Sequence, residues 1–163
     1  MSSYKQNPPP IPSFYRIFFT SIDPLIALSG AYLSLFDPET ILASSFPRSH
    51  HLSVPSPSHA VLLDQAAGAF LMMAFLMIFM LRTTNDMSIW KLFEFAILIT
   101  DGTLFFSLGK ALATQGRLGI GMLRWEEWGT VGITGFVTVM RIAFLMELGF
   151  QKKLSVQKEK KSE

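Results

Sequence analysis

Four stretches of the chain stay apolar for about 20 residues or more, the length that crosses the ~30 Å hydrocarbon core of a bilayer. They fall at residues 14–36, 59–82, 90–112 and 127–150. The second is the least interrupted: Ala66 to Leu81 (AAGAFLMMAFLMIFML) carries no charge or amide over 16 positions. The fourth is the most interrupted, with Arg141 and Glu147 inside it. A large soluble protein can bury helices of this kind, but this chain has too few polar residues to clothe four of them in a hydrated surface. The pattern predicts an all-α integral membrane four-helix bundle.

The flanks divide the chain further. Pro8, Pro9, Pro10 and Pro12 make residues 1–13 an extended lead-in. Residues 14–150 form the transmembrane domain and residues 151–163 a basic tail. A basic stretch and a small-residue cleavage site are both missing ahead of the first span, so that span is expected to be retained. Between the first two spans, Asp37-Pro38-Glu39-Thr40 reads as a helix start, with Asp37 as N-cap and Pro38 at the first helical position. It predicts a short interfacial helix over 38–46. The second connection is a tight polar turn, and Gly116, Gly119 and Gly121 make the third a flexible one rather than a dinucleotide fingerprint, since no strand precedes them.

Lys and Arg placement predicts orientation. Lys5, Arg16, Arg82, Lys91 and the tail lysines gather on the side of the termini, against Arg48, Lys110, Arg117 and Arg124 on the other. Both termini are therefore expected in the cytosol. Trp90 at one boundary and Trp125 and Trp128 at the other suit the interfacial belts. A cytosolic Lys160-Lys161-Ser162-Glu163 ending resembles the dilysine retrieval signal of endoplasmic-reticulum membrane proteins, which gives the expected localisation.

Composition narrows the chemistry. Half the residues are hydrophobic, 15 are Phe and none is Cys, which excludes disulfide frameworks, thiolate metal sites and Cys nucleophiles. A net charge of +2, with basic residues at span ends, gives no nucleic-acid-binding face. His50, His51 and His59 lie in or beside a Ser/Pro-rich loop without carboxylates at ligand spacing, so no metal and no cofactor is expected.

Against this background three ionisable residues stand out: Asp23, Asp101 and Arg141, each near the middle of a different span. At 1.5 Å per residue each reaches a depth of ~15 Å from the side of the termini. Such groups are costly in hydrocarbon and mark function by default. Helical spacing supports convergence. Arg16, Thr20, Asp23, Ala27 and Gly30 share a stripe on the first span, and Glu94 lies seven residues before Asp101 on one face of the third. Thr130, Thr134, Thr138 and Arg141 line the fourth, and the second offers Gln65, Gly68 and Met72. These stripes enclose a polar pocket, expected to open towards the cytosol, with Asp23, Asp101 and Arg141 as catalytic candidates. Thr20, Gln65, Glu94, Thr134 and Thr138 are candidate substrate contacts. Two carboxyls beside one guanidinium can work as a base and an acid, the pair of roles needed to open an epoxide, with Tyr15 or Tyr32 as a further donor to its oxygen. The same groups could instead serve only to hold helices in register.

The stretch Ile11-Pro-Ser-Phe-Tyr-Arg-Ile-Phe-Phe-Thr-Ser-Ile-Asp-Pro-Leu-Ile-Ala-Leu-Ser-Gly-Ala-Tyr, followed by Phe36-Asp-Pro-Glu-Thr, resembles a family of small fungal four-span proteins, mostly of unassigned function. Some members are similar to the hydrolase of citreoviridin- and aurovertin-type polyketide pathways, where epoxides on a polyene are opened. The likeness covers the first 40 or so residues and carries no catalytic motif. It implies a hydrophobic substrate, an epoxidised polyene, and other enzymes of a biosynthetic pathway as partners alongside the bilayer. A membrane isomerase or terpenoid cyclase, and a non-enzymatic membrane scaffold, are the competing expectations.

Overall fold

The computed structural model describes residues 11–150. The prolines at 8–10 and the basic tail with its dilysine ending lie outside them. Five helices account for the architecture: α1 Ser13–Phe36, α2 Pro38–Ala43, α3 Pro57–Thr83, α4 Met87–Thr114 and α5 Trp125–Leu145. No strand occurs among the described residues. Helices α1, α3, α4 and α5 are each long and apolar enough to cross a membrane. The protein is an all-α, multi-pass membrane four-helix bundle.

Local chemistry sets the helix boundaries. The Asp37 carboxylate accepts the Thr40 N–H at 3.2 Å and Pro38 opens α2, which ends at Ala43 rather than 46 because Ser44 starts a turn. The Ser56 hydroxyl caps α3 at His59 N–H (3.3 Å), and Asp86 caps α4 at Ser88 N–H (2.8 Å). At the far end of α4, Gly116 takes φ +66°, and the N–H groups of Gly116 and Arg117 fold back onto the carbonyls of Ala113 and Leu112. Helix α5 stops at Leu145, five residues before the expected end. The same backbone motif forms there with Glu147 at φ 56°, and the N–H groups of Glu147 and Leu148 donate to the carbonyls of Phe144 and Ala143.

Two spans carry a π turn, Phe18–Ile22 in α1 and Leu76–Met80 in α3. The first has a visible cause. Asp23 N–H donates to Phe18 O five residues back, and Pro24 has no N–H to give the carbonyl of Thr20. Arg82 supplies the missing donor, its Nη2 lying 2.7 Å from Thr20 O.

Helix α1 packs along α3, and α4 packs against α5. The two pairs are joined most firmly at the end that carries the termini. There Ile11, Tyr15, Phe18 and Phe19 meet Leu81, Met87, Trp90, Val137 and Phe144 in one buried core. Its rings interlock edge-to-face, as in Tyr15–Phe144 (5.3 Å) and Phe18–Phe19 (5.1 Å). The Tyr15 hydroxyl donates to Leu148 O at 2.9 Å, tying α1 to the turn after α5. Around this core run boundary contacts: Arg16 bonded to Asn85 and lying over the Trp90 ring, and Lys91 paired with Glu147 at 2.5 Å.

Candidate functional site

Asp23, Asp101 and Arg141 come together in the bundle interior. Arg141 Nη2 lies 2.6 Å from Asp23 Oδ2 and Nη1 lies 2.5 Å from Asp101 Oδ2. A third carboxyl completes the cluster: Glu94 Oε2 faces Arg141 Nε at 3.4 Å, without hydrogen-bond geometry. Exposure is 3% for Asp23, 0% for Glu94, 5% for Asp101 and 2% for Arg141. Each comes from the inward stripe of its helix, and the π turn just before Asp23 resets the α1 register there. Thr138 adds its hydroxyl, 3.3 Å from Asp101 Oδ2 and 2.7 Å from Thr134 O.

The guanidinium thus has two aspects. With Asp23 and Asp101 it lines a half-open chamber of about 210 Å³ between the helices, and Glu94 stands outside that lining. The walls are apolar, formed by Ile26, Leu33, Met77, Ile97 and Val137 among others, with Thr130 and Thr134 on the α5 side. The chamber runs from the ionic floor towards the end of the bundle that holds α2 and the two longer loops. The sequence-based expectation of a pocket open on the side of the termini is therefore corrected. The aromatic core fills that side, and the space lies beyond the cluster.

The candidate substrate contacts sort differently. Thr134 lines the chamber, Thr138 touches Asp101, and Glu94 belongs to the ionic cluster. Thr20 is buried but does not line the chamber, and its hydroxyl donates to Arg16 O at 2.8 Å. Gln65 is exposed on the outer face of α3. The inward face of α3 is Ala67, Phe70, Ala74 and Met77, and at 100° per residue Gln65 points away from it. Neither tyrosine proposed as a donor reaches the chamber: Tyr15 is engaged with Leu148, and Tyr32 is 61% exposed.

A second ionic network orders the opposite end. Glu127, fully buried, accepts from Arg117 Nη1 and Nη2 (2.9 Å each), from Arg124 Nε (2.9 Å) and from Arg124 N–H (2.8 Å). Arg124 Nη2 continues to Ala43 O at 2.8 Å, and Gln115 Nε2 to Ser45 O at 2.9 Å. These bonds hold α2 and its following turn against the loop between α4 and α5. In the sequence Arg117 and Arg124 bear only on orientation. The signal available was Arg124 with Glu127 three residues later at a helix start, a spacing that suits a capping carboxylate.

Fold and site together define a class: a multi-pass membrane protein whose bundle holds a mostly apolar, half-open chamber floored by a buried carboxyl–arginine cluster. Residues 9–151 match the family described as a domain of unknown function, DUF7704, and the chain belongs to that family. No curated protein and no solved structure matches it.

Proposed function

We propose that the protein is a membrane-bound epoxide hydrolase or cyclase that opens an epoxide on an apolar polyene by acid–base catalysis. The observation that carries this reading is the shared guanidinium, which holds two carboxyls side by side at the floor of a chamber otherwise suited to hydrocarbon. With all three acids ionised, one arginine would leave two negative charges uncompensated in the bundle interior, so the cluster has reason to keep a proton. One chamber-facing carboxyl then serves as base and the other as acid. The base takes a proton from water, or from a hydroxyl of the substrate. That oxygen bonds to an epoxide carbon as its C–O bond breaks, and the acid protonates the departing oxygen. Passage of the proton between the two carboxyls restores the starting state. Water as nucleophile gives a diol; an internal hydroxyl gives a cyclic ether.

The resemblance near the N-terminus supports fungal polyketide metabolism as the setting, with other enzymes of the same pathway as partners. The Lys/Arg asymmetry supports cytosolic termini, and the lysine-rich ending supports residence in the endoplasmic reticulum. The chamber then faces the luminal half of the bilayer. The test is turnover of an epoxidised polyene by purified protein, with Asp23→Asn and Asp101→Asn variants checked for folding. Loss in both, with the fold kept, is expected. Unchanged turnover in both refutes the assignment, and incorporation of oxygen from labelled water separates hydrolysis from an isomerase reaction.

A further inference from the structure

Beyond the ionic chamber lies a larger space of about 740 Å³, under α2 and between α3, α4 and the start of α5. The two spaces adjoin, since Leu33, Phe70, Leu104, Thr130 and Ile133 line both. Phe70 is the bulkiest group at the junction. Its ring sits where a side chain at position 30 would be, so that a Cβ on Gly30 would meet it at 3.3 Å. The outer space changes character along its length. Leu63, Ala66 and Leu108 form apolar walls, Thr40, Ser44, Ser45 and Arg48 bring polar groups to the α2 side, and Glu126 adds a carboxylate 3.8 Å from Arg124.

We infer that the two spaces form one binding path for an elongated amphiphile that enters from the α2 side and narrows at Phe70. Its inner end rests on Asp23, Asp101 and Arg141, and its hydrogen-bond-accepting head stays beside Arg48. Three observations carry this. The inner chamber alone falls below the ~300 Å³ at which small-molecule sites usually begin, whereas the outer space falls within the usual range. The end beyond the ionic floor is filled by the aromatic core, so a chain seated on that floor extends towards the α2 side. Eleven residues separate Asp23 from Ser34 along α1, so the path is ~16 Å long, the reach of an extended chain of roughly a dozen carbons. At the outer end Arg48 and the hydroxyls of Thr40 and Ser45 suit a carboxylate or carbonyl head, the Glu126 carboxylate there being paired with Arg124, and the apolar middle is left to hydrocarbon.

The inference deepens the proposed function and rests on it for the reacting group at the inner end. Its test reads binding rather than turnover. The full chain in phosphatidylcholine nanodiscs would be titrated with ω-epoxy fatty acids of increasing length and with the matching ω-epoxy alcohols. Affinity is expected to rise with chain length and level off near a dozen carbons. Ala66→Phe should shorten the preferred length, with Ala66→Val as a milder variant if the first is unstable, and Arg48→Ala should erase the preference for acid over alcohol. Affinity independent of length, or unaltered by both Ala66 variants in folded protein, overturns the path, as does probe bound only at lipid-facing positions. Length-dependent binding without turnover of any epoxide would retire the hydrolase reading and leave the path standing. Turnover of short epoxides with no length dependence would do the reverse.

Discussion

Replacing Arg141 by Met tests the ionic cluster most directly, because a side chain of similar reach is kept and the charge is removed. The arginine makes two charge-assisted hydrogen bonds, at 2.5 and 2.6 Å, and a third ionic contact at 3.4 Å. Two scales compete for the size of the effect. Interhelical hydrogen bonds in membrane proteins average ~0.6 kcal/mol, which would put the loss near 1 kcal/mol. Breaking a buried ion pair by removing one partner costs ~3–5 kcal/mol, since the other partner stays buried without its counter-charge. All four groups here are at most 5% exposed, so the second scale should govern. Arg141→Met is expected to cost about 4 kcal/mol, which for a chain of this size corresponds to a fall in Tm on the order of 10 °C. Arg141→Lys should also destabilise, because a single ammonium cannot address three carboxyls in the fixed directions of a guanidinium. Adding Asp23→Asn, Asp101→Asn and Glu94→Gln to Arg141→Met should restore more than half of the loss, since uncharged polar groups need no counter-ion. Thermal unfolding in a mild detergent, followed by tryptophan fluorescence, measures all of these. A loss below about 1 kcal/mol for Arg141→Met, on the membrane hydrogen-bond scale, or no recovery in the fully neutral variant, would refute the picture of a charged cluster carried by one cation.

Two further outcomes follow from the geometry. Tyr15→Phe removes the bond to Leu148 O and should cost about 1 kcal/mol in unfolding experiments. Turnover, if the proposed chemistry operates, should stay unchanged, because the hydroxyl lies outside the chamber. Arg82→Met strips the Thr20 carbonyl of its side-chain donor and should cost about 1–3 kcal/mol. In a Pro24→Ala background, where a backbone N–H becomes available, that cost should fall by at least half, and a cycle showing no coupling would contradict the account of the π turn.

How much of this was legible beforehand differed from helix to helix. On α4 and α5 the ionisable residues and threonines are rare enough among apolar neighbours to mark the inward face, and Glu94, Asp101, Thr134 and Arg141 all lie on it. Helix depth alone placed Asp23, Asp101 and Arg141 in one layer, and the structure brings them into contact. On α3 the same reasoning failed at Gln65. Lipid-facing and bundle-facing residues are both apolar in a membrane, so periodicity lost its contrast and a lone amide on the outer face was mistaken for an inner one. The direction of the chamber was also illegible, because it depends on where large rings pack. Phe and Trp look alike in sequence whether they plug a bundle or face lipid. The Glu94 contact was underestimated for a simpler reason: its distance from the Asp23–Asp101 layer along α4 is bridged by the length of the two side chains, which a count of helical rise leaves out.

The closed end beside the aromatic core bears on which product the proposed reaction would give. A long chain seated along the proposed path would fill much of the space above the ionic floor, and any attacking water must share what remains. Apart from the threonines and the ionic floor the walls of the inner chamber are apolar and offer water few partners, and the tip of a polyene would displace much of what is there. Scarcity of water at the reacting carbon favours attack by an oxygen that the substrate itself carries. The balance between diol and ring would then be set by spare room: Val137→Ala, by enlarging the chamber next to Arg141, would admit water and shift the product from cyclic ether towards diol.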